Sequence, residues 1–145
     1  MLVNIKKLNE KAKLPTYGTA YSAGCDLYAC MDEDISINPG ETKLIKTGLS
    51  MEIPENYAGL IYARSGLATK KGLAPANKVG VIDSDYRGEI MVALHNHSNE
   101  VQTIDKNERI AQLVVTPFLK VEFNEVEDLN DTVRGAGGFG STGAK

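Results

Sequence analysis

Apolar residues in this chain come in short runs, and breaking or polar residues interrupt them about every ten positions. Residues 2–7, 35–37, 42–45, 49–53, 57–63, 101–104 and 109–115 each read as a strand. Around Cys25, Leu27 and Ala29 the pattern alternates with Asp26, Tyr28 and Cys30, so this stretch is predicted as a strand with two unlike faces. Asn38-Pro39-Gly40, Pro54 and the polar run 105–108 stop individual strands. No helical period persists for any length, which predicts an all-β sandwich or barrel of the jelly-roll kind. Residues 79–82 and 90–94 read as the two arms of a β-hairpin. The segment between them, Asp83-Ser84-Asp85-Tyr86-Arg87-Gly88, carries more chemistry than a turn needs.

One stretch departs from the β pattern. Arg64-Ser65-Gly66-Leu67-Ala68-Thr69-Lys70-Lys71-Gly72 reads as a short helix with Ser65 near its start and Gly72 as its C-cap. Lys70 and Lys71 suit the negative end of a helix. Arg64 does not suit the positive end. A cation beside free backbone N–H groups wants an anion between them, so Arg64-Ser65-Gly66 is a candidate phosphate cradle, with Gly66 allowing close approach. A capped helix with a surface arginine is the plainer alternative.

The chain of 145 residues is of single-domain size, and an apolar share of 42% is enough for one core. The predicted division is a β domain over 1–123, with 124–145 as a polar, glycine-rich extension of the same domain. A net charge of −3 gives no reason to expect nucleic acid or an anionic membrane as partner. No run is long and apolar enough for a membrane span, and the N-terminus lacks the apolar stretch of a signal peptide. Two cysteines make no disulfide framework, so a reducing, cytoplasmic location is expected.

Several polar residues sit where burial or a strand disfavours them. Asp26 in a short strand is either an edge defect or a functional group on a rigid scaffold. Gln112 interrupts the most apolar strand and must find hydrogen-bond partners there. His95 and His97 share a strand face, but Cys25 and Cys30 lie an odd number apart and point to opposite faces, which argues against a zinc site. Five of the 14 glycines fall within 135–145, so the end of the chain has no fold of its own. Arg134, Phe139 and Ser141 among those glycines could meet an anion and a flat ligand.

Five segments taken together resemble the trimeric dUTPase family, the deoxyuridine triphosphate nucleotidohydrolases. They are Ala23-Gly-Cys-Asp-Leu27, Ala63-Arg-Ser-Gly-Leu-Ala68, Gly80-Val-Ile-Asp-Ser-Asp-Tyr-Arg-Gly88, Asn107-Glu-Arg-Ile-Ala-Gln112 and Arg134-Gly-Ala-Gly-Gly-Phe-Gly-Ser-Thr-Gly143. They span almost the whole chain in family order. Cys25, Asn107 and Lys71 depart from the residues usual at their positions, and none touches a reacting group.

The resemblance implies hydrolysis of dUTP to dUMP and pyrophosphate, keeping uracil out of DNA and supplying dUMP for thymidylate synthesis. It implies a jelly-roll homotrimer whose copies exchange C-terminal segments and share active sites. Asp83 would be the base that activates a water for in-line attack on the α-phosphorus. Asp26 and Gln112 would act through ordered water. Mg²⁺ would ride on the triphosphate with no direct protein ligand. Arg64, Ser65 and Gly66 would cradle phosphates. Asn77, Gly80, Val81, Tyr86 and Met91 would hold the uracil and sugar. Arg134, Phe139, Gly140 and Ser141 would close over the nucleotide. Two other readings are a dCTP deaminase of the same fold and a dUTPase that doubles as a nucleotide-switched regulatory protein. The first would place Glu where Asp83 stands and would lack the glycine-rich arm.

Overall fold

The computed structural model describes residues 1–139. The strand-dominated expectation holds: one seven-residue helix, α1 (Ser65–Lys71), stands among twelve strands in the described residues. The strands form four antiparallel sheets. The largest runs β2 (Thr16–Tyr17), β3 (Cys25–Tyr28), β12 (Arg109–Pro117), β7 (Tyr57–Tyr62), β9 (Gly80–Ile82). A second runs β5 (Thr42–Lys46), β10 (Met91–Asn96), β8 (Leu73–Pro75). Two pairs complete the set, β1 (Asn4–Lys7) with β6 (Leu49–Glu52) and β4 (Ile35–Ile37) with β11 (Gln102–Ile104).

Alternation along the central ladder decides what is core. Cys25, Leu113, Ile61 and Gly80 stand in register across β3, β12, β7 and β9 and are all buried. One position away, Asp26, Gln112 and Tyr62 stand in register on the opposite, half-buried face. The inward face meets Leu27, Ile37, Ile45, Leu49, Ile90 and Leu94, each fully buried, in a single cluster. Gly59 is needed where β7 crosses that core. A Cβ there would come within 2.7 Å of Ile53 Cδ1 and 3.1 Å of Leu113 Cδ1.

The helix boundaries match the sequence reading with one shift. Arg64 rather than Ser65 is the N-cap residue, in extended conformation, and Gly72 is the left-handed C-cap at φ 65°. Asn107 takes φ 70°, the conformation for which Asn substitutes for Gly.

The hairpin expectation fails. β9 pairs with β7, whereas β10 pairs with β5 and β8, so the two runs lie in different sheets. The eight-residue connection, 83–90, is too long to force pairing. Ile82 and Ile90 at its two ends both bury themselves in the core between the sheets. The segment therefore turns a corner from one sheet to the other. β8, with its Pro75, was not anticipated, because Leu73-Ala-Pro is too short to show a period.

Asn96 is the buried polar group on which the β10 end depends. Its side chain is fully buried, donates to Ile37 O at 2.8 Å and Glu100 O at 2.7 Å, and accepts from Ser98 N at 2.9 Å. Asn96→Ala should destabilise the fold by about 2–4 kcal/mol, since two carbonyls and an amide lose their partner together. Urea unfolding followed by circular dichroism measures this; a loss below about 0.5 kcal/mol would contradict it.

Candidate active site

The residues singled out in the sequence gather in two clefts and a tail. The first cleft, about 250 Å³, includes Asn77, Gly80, Val81, Asp83, Tyr86 and Met91 in its lining. It exists because β9 and β10 diverge instead of pairing. Among the described residues, β9 is bonded to β7 alone, and the other edge of β10 is met by β8 over Leu94–Asn96 and by Ala76 N at Ala93 O, so the backbones of Gly80 and Met91 each keep an open edge. Gly80 is also short of space: a Cβ would lie 3.3 Å from Asn77 Nδ2 and from Ile61 Cβ.

Tyr86 is folded back over Gly88. Its hydroxyl donates to Glu89 O at 3.0 Å, and a Cβ on Gly88 would stand 2.5 Å from the ring carbon that bears that hydroxyl. Arg87 fastens the same turn, donating to Ser84 O at 2.7 Å and Tyr86 O at 3.0 Å. Asp83 is left with an exposed side chain at the mouth.

The second cleft, about 390 Å³, brings together Asp26, Arg64, Ser65, Gly66 and Gln112. Ala68 N bonds Arg64 O at 3.0 Å, so the first helical amides ahead of it have no helical partner. A Cβ on Gly66 would meet nothing within 4 Å, leaving that approach open. Gln112 donates through Nε2 to Ala63 O at 2.8 Å, which fixes its amide and turns Oε1 toward Gly24. Gly24 has to be glycine for this, since a Cβ would fall 2.6 Å from that oxygen. Asp26 accepts from Arg64 Nε at 2.7 Å and from Arg109 Nη1 at 3.1 Å.

Arg109 is the residue that the alternating pattern hides. Counting by twos from Gln112 puts it on the buried face. A register shift between Arg109 and Ala111 inserts Ile110 as an extra residue and turns Arg109 to the Asp26 side. Nothing in the period of the strand marks that bulge.

The described part of the tail, up to Phe139, lines neither cleft. Arg134 donates to Gly137 O at 2.8 Å within its own turn, and Phe139 is fully exposed. Gly140 and Ser141 lie outside the described residues. No cluster of three or more His, Cys, Asp or Glu occurs among the described residues. Cys25 and Cys30 are free and buried, and burial pushes both thiols up from their ordinary range. His95 bonds Thr42 Oγ1 at 2.8 Å.

Comparison with known proteins settles the family. The dUTPase family model matches residues 10–143. The chain belongs to the dUTPase family. A dUTPase from Nautilia profundicola, named deoxyuridine 5'-triphosphate nucleotidohydrolase, is 57% identical over 143 residues, covering 99% of each chain. Among solved structures, a variant of the Staphylococcus bacteriophage 80alpha dUTPase with dUpNHpp superposes with a TM-score of 0.87 at 30% identity, over 98% of both chains. A variant dUTPase from phage phi11 of S. aureus, described as coordinating a structural Mg(II) ion, has a TM-score of 0.78 at 26% identity, over 88% of this chain and 98% of that one. No helix among the described residues of this dUTPase is long and apolar enough to cross a membrane.

Gly88→Ala should push the Tyr86 ring off its seat while leaving the core untouched. The expected result is a KM for nucleotide raised about tenfold or more with unfolding stability changed by less than about 1 kcal/mol. Steady-state kinetics alongside thermal unfolding tests this; unchanged kinetics would show that the ring position is irrelevant.

Proposed function

We infer that this chain hydrolyses dUTP to dUMP and pyrophosphate. The observation that carries the reading is the pairing of an amide-edged cleft bearing an exposed carboxylate with a cationic cleft at a helix start, in a chain of the dUTPase family.

The first cleft suits a pyrimidine. The open edges of Gly80 and Met91 and the side chain of Asn77 can meet the donor and acceptor edge of uracil. Cytosine reverses two of those positions and would leave groups unpaired, a mismatch that can reject by ~10⁴–10⁵. Tyr86 lies where a sugar would follow, and a ring pressed against deoxyribose excludes a 2′-hydroxyl. Asp83 acts as general base, taking a proton from the water that attacks the α-phosphorus in line as pyrophosphate leaves. In the second cleft, Arg64 and the amides of Ser65 and Gly66 bind the phosphates, and the fixed Gln112 Oε1 orients a water. Arg134, Phe139, Gly140 and Ser141 close over the nucleotide.

Magnesium fits this donor set through the substrate. With no carboxylate cluster among the described residues, a hard cation finds its ligands in the triphosphate oxygens and water. Asp26, a hard oxygen acceptor at the cleft wall, would receive hydrogen bonds from the ion's waters. Bound Mg²⁺ supplies charge neutralisation of the triphosphate.

The two clefts also imply assembly. Asp26 and Gln112 point from one face of the five-stranded sheet at β3 and β12, whereas the first cleft is lined at β9 by residues of both faces, Gly80 and Ile82 on one and Val81 on the other. β3 and β9 are three strand spacings apart, about 14 Å. That separation supports reading each site as one shared between clefts of different copies. The outward face carries Leu60, Val81 and Val114 in register, an apolar stripe suited to subunit packing. Leu119, Val121 and Phe123 alternate with polar residues and are exposed, which suits a strand that pairs with another copy. We read the assembly as a cytoplasmic homotrimer with shared sites, as the family resemblance implies.

Phosphorus NMR with Mg²⁺ should show dUMP and pyrophosphate from dUTP, and no consumption of dCTP or dTTP. Asp83→Asn should lower kcat by about 10²–10⁴ while retaining nucleotide binding. Consumption of dCTP with its triphosphate intact would overturn the reading in favour of deamination. A mixing experiment tests the sharing of sites. Asp83→Asn and Arg64→Gln, each inactive alone, should regain activity at about one quarter of sites when unfolded together and reassembled as random trimers. Activity no greater than that of the separate variants would place both residues in one copy's site.

A further inference from the structure

We propose that Arg109 is a second guanidinium of the triphosphate cradle, held ready by Asp26. This rests on the dUTP-hydrolysing reading above and adds a residue to it. Three observations converge on Arg109. The first is the bulge at Ile110, which costs the β3–β12 ladder its regular register and has the effect of turning Arg109 out of the core face and into the cleft.

The second is charge. Asp26 is shared by two guanidiniums, with side-chain exposure of 15% for Asp26, 25% for Arg64 and 51% for Arg109. If Arg64 were the only cation, its pairing with Asp26 would leave the cradle with no net charge to offer a triphosphate. Arg109 restores one positive charge. It is the more exposed of the two arginines, and a single Nη1 contact to Asp26 leaves most of its five N–H donors for phosphate oxygens.

The third is anchoring. The residue before it, Glu108, is fixed by Lys71 Nζ at 2.9 and 3.1 Å and accepts from Asp105 N at 3.0 Å. Arg64 Nη1 also reaches Arg109 O at 3.4 Å. Helix α1 is thereby tied at both ends to the turn that presents Arg109, so the two guanidiniums sit on one rigid unit. Asp26 stops them from repelling each other before nucleotide arrives and leaves Arg109 free to follow the phosphates.

Arg109→Gln and Arg109→Lys are to be compared with wild type by calorimetry, using dUpNHpp with Mg²⁺ and, separately, dUMP, together with steady-state kinetics on dUTP. Arg109→Gln should weaken dUpNHpp by roughly 10- to 100-fold and change dUMP by less than about twofold, with Arg109→Lys falling between. Raising the salt should weaken wild type more than Arg109→Gln. Equal losses for dUpNHpp and dUMP, or no loss for either, would overturn the assignment. Asp26→Asn separates contact from scaffolding: if Arg109 serves only to hold Asp26, the two variants will share one ligand profile, and the proposal fails. Wild type that neither hydrolyses dUTP nor binds dUpNHpp would instead sink the underlying functional reading. Matching circular dichroism and melting temperatures confirm that each variant is folded.

Discussion

The register of β12 against β3 and β7 is the constraint on which both the core and the cradle depend. A strand has a side-chain period of two, so placing Leu113 against Cys25 and Ile61 places Gln112 against Asp26 and Tyr62 with no further freedom. A slip of β12 by one residue would drive Gln112 into the core, away from Asp26, and expose Leu113. The burial of a few aliphatic side chains therefore orients the polar ones. Gln112 can sit in an apolar strand at low cost because its amide meets Ala63 O, and because Gly24 leaves room for its oxygen.

The same logic explains what could be read from the sequence. Strands with alternation or clear punctuation, such as Cys25–Tyr28 and Leu49–Glu52, were legible. So was α1, whose C-cap glycine and terminal lysines are local signals. All the site residues within the described part except Asn77 and Met91 fell in the segments that carry the family resemblance, and most line one of the two clefts. What was not legible is non-local. The pairing of β9 with β7 rather than β10 depends on where Ile82 and Ile90 find apolar neighbours, which no window of sequence contains. Asn96 reads as a strand-end polar residue, yet it is fully buried because carbonyls 59 and 4 positions away converge on it. The bulge at Ile110 leaves no trace in composition.

The failed hairpin is also the origin of the first cleft. Two strands that paired would have satisfied each other's backbone groups and left nothing for a base. By entering different sheets they keep open edges a few residues from the corner, and the corner itself needs reinforcement. Arg87 caps its carbonyls, Ser50 Oγ donates to Arg87 O at 2.8 Å, and Glu89 accepts from Gly48 N at 2.8 Å. These bonds tie the corner to β6 and its flanking turn, so Asp83 and Tyr86 stand on a braced segment although their own side chains are exposed.

Exposure of the C-terminal segment follows from a different balance. Residues 118–139 bury little within their own chain, and Leu119, Phe123, Leu129, Val133 and Phe139 are nearly or fully exposed. Ordering such a segment costs about 1–2 kcal/mol per residue in backbone entropy, and more where glycines are dense. That cost has to be met by contacts from outside the chain. In the proposed reading, alternating apolar residues in 119–123 find them on another copy, and Arg134 finds a charged ligand. The braced corner is set by folding, and in the proposed reading the arm draws its order from the triphosphate.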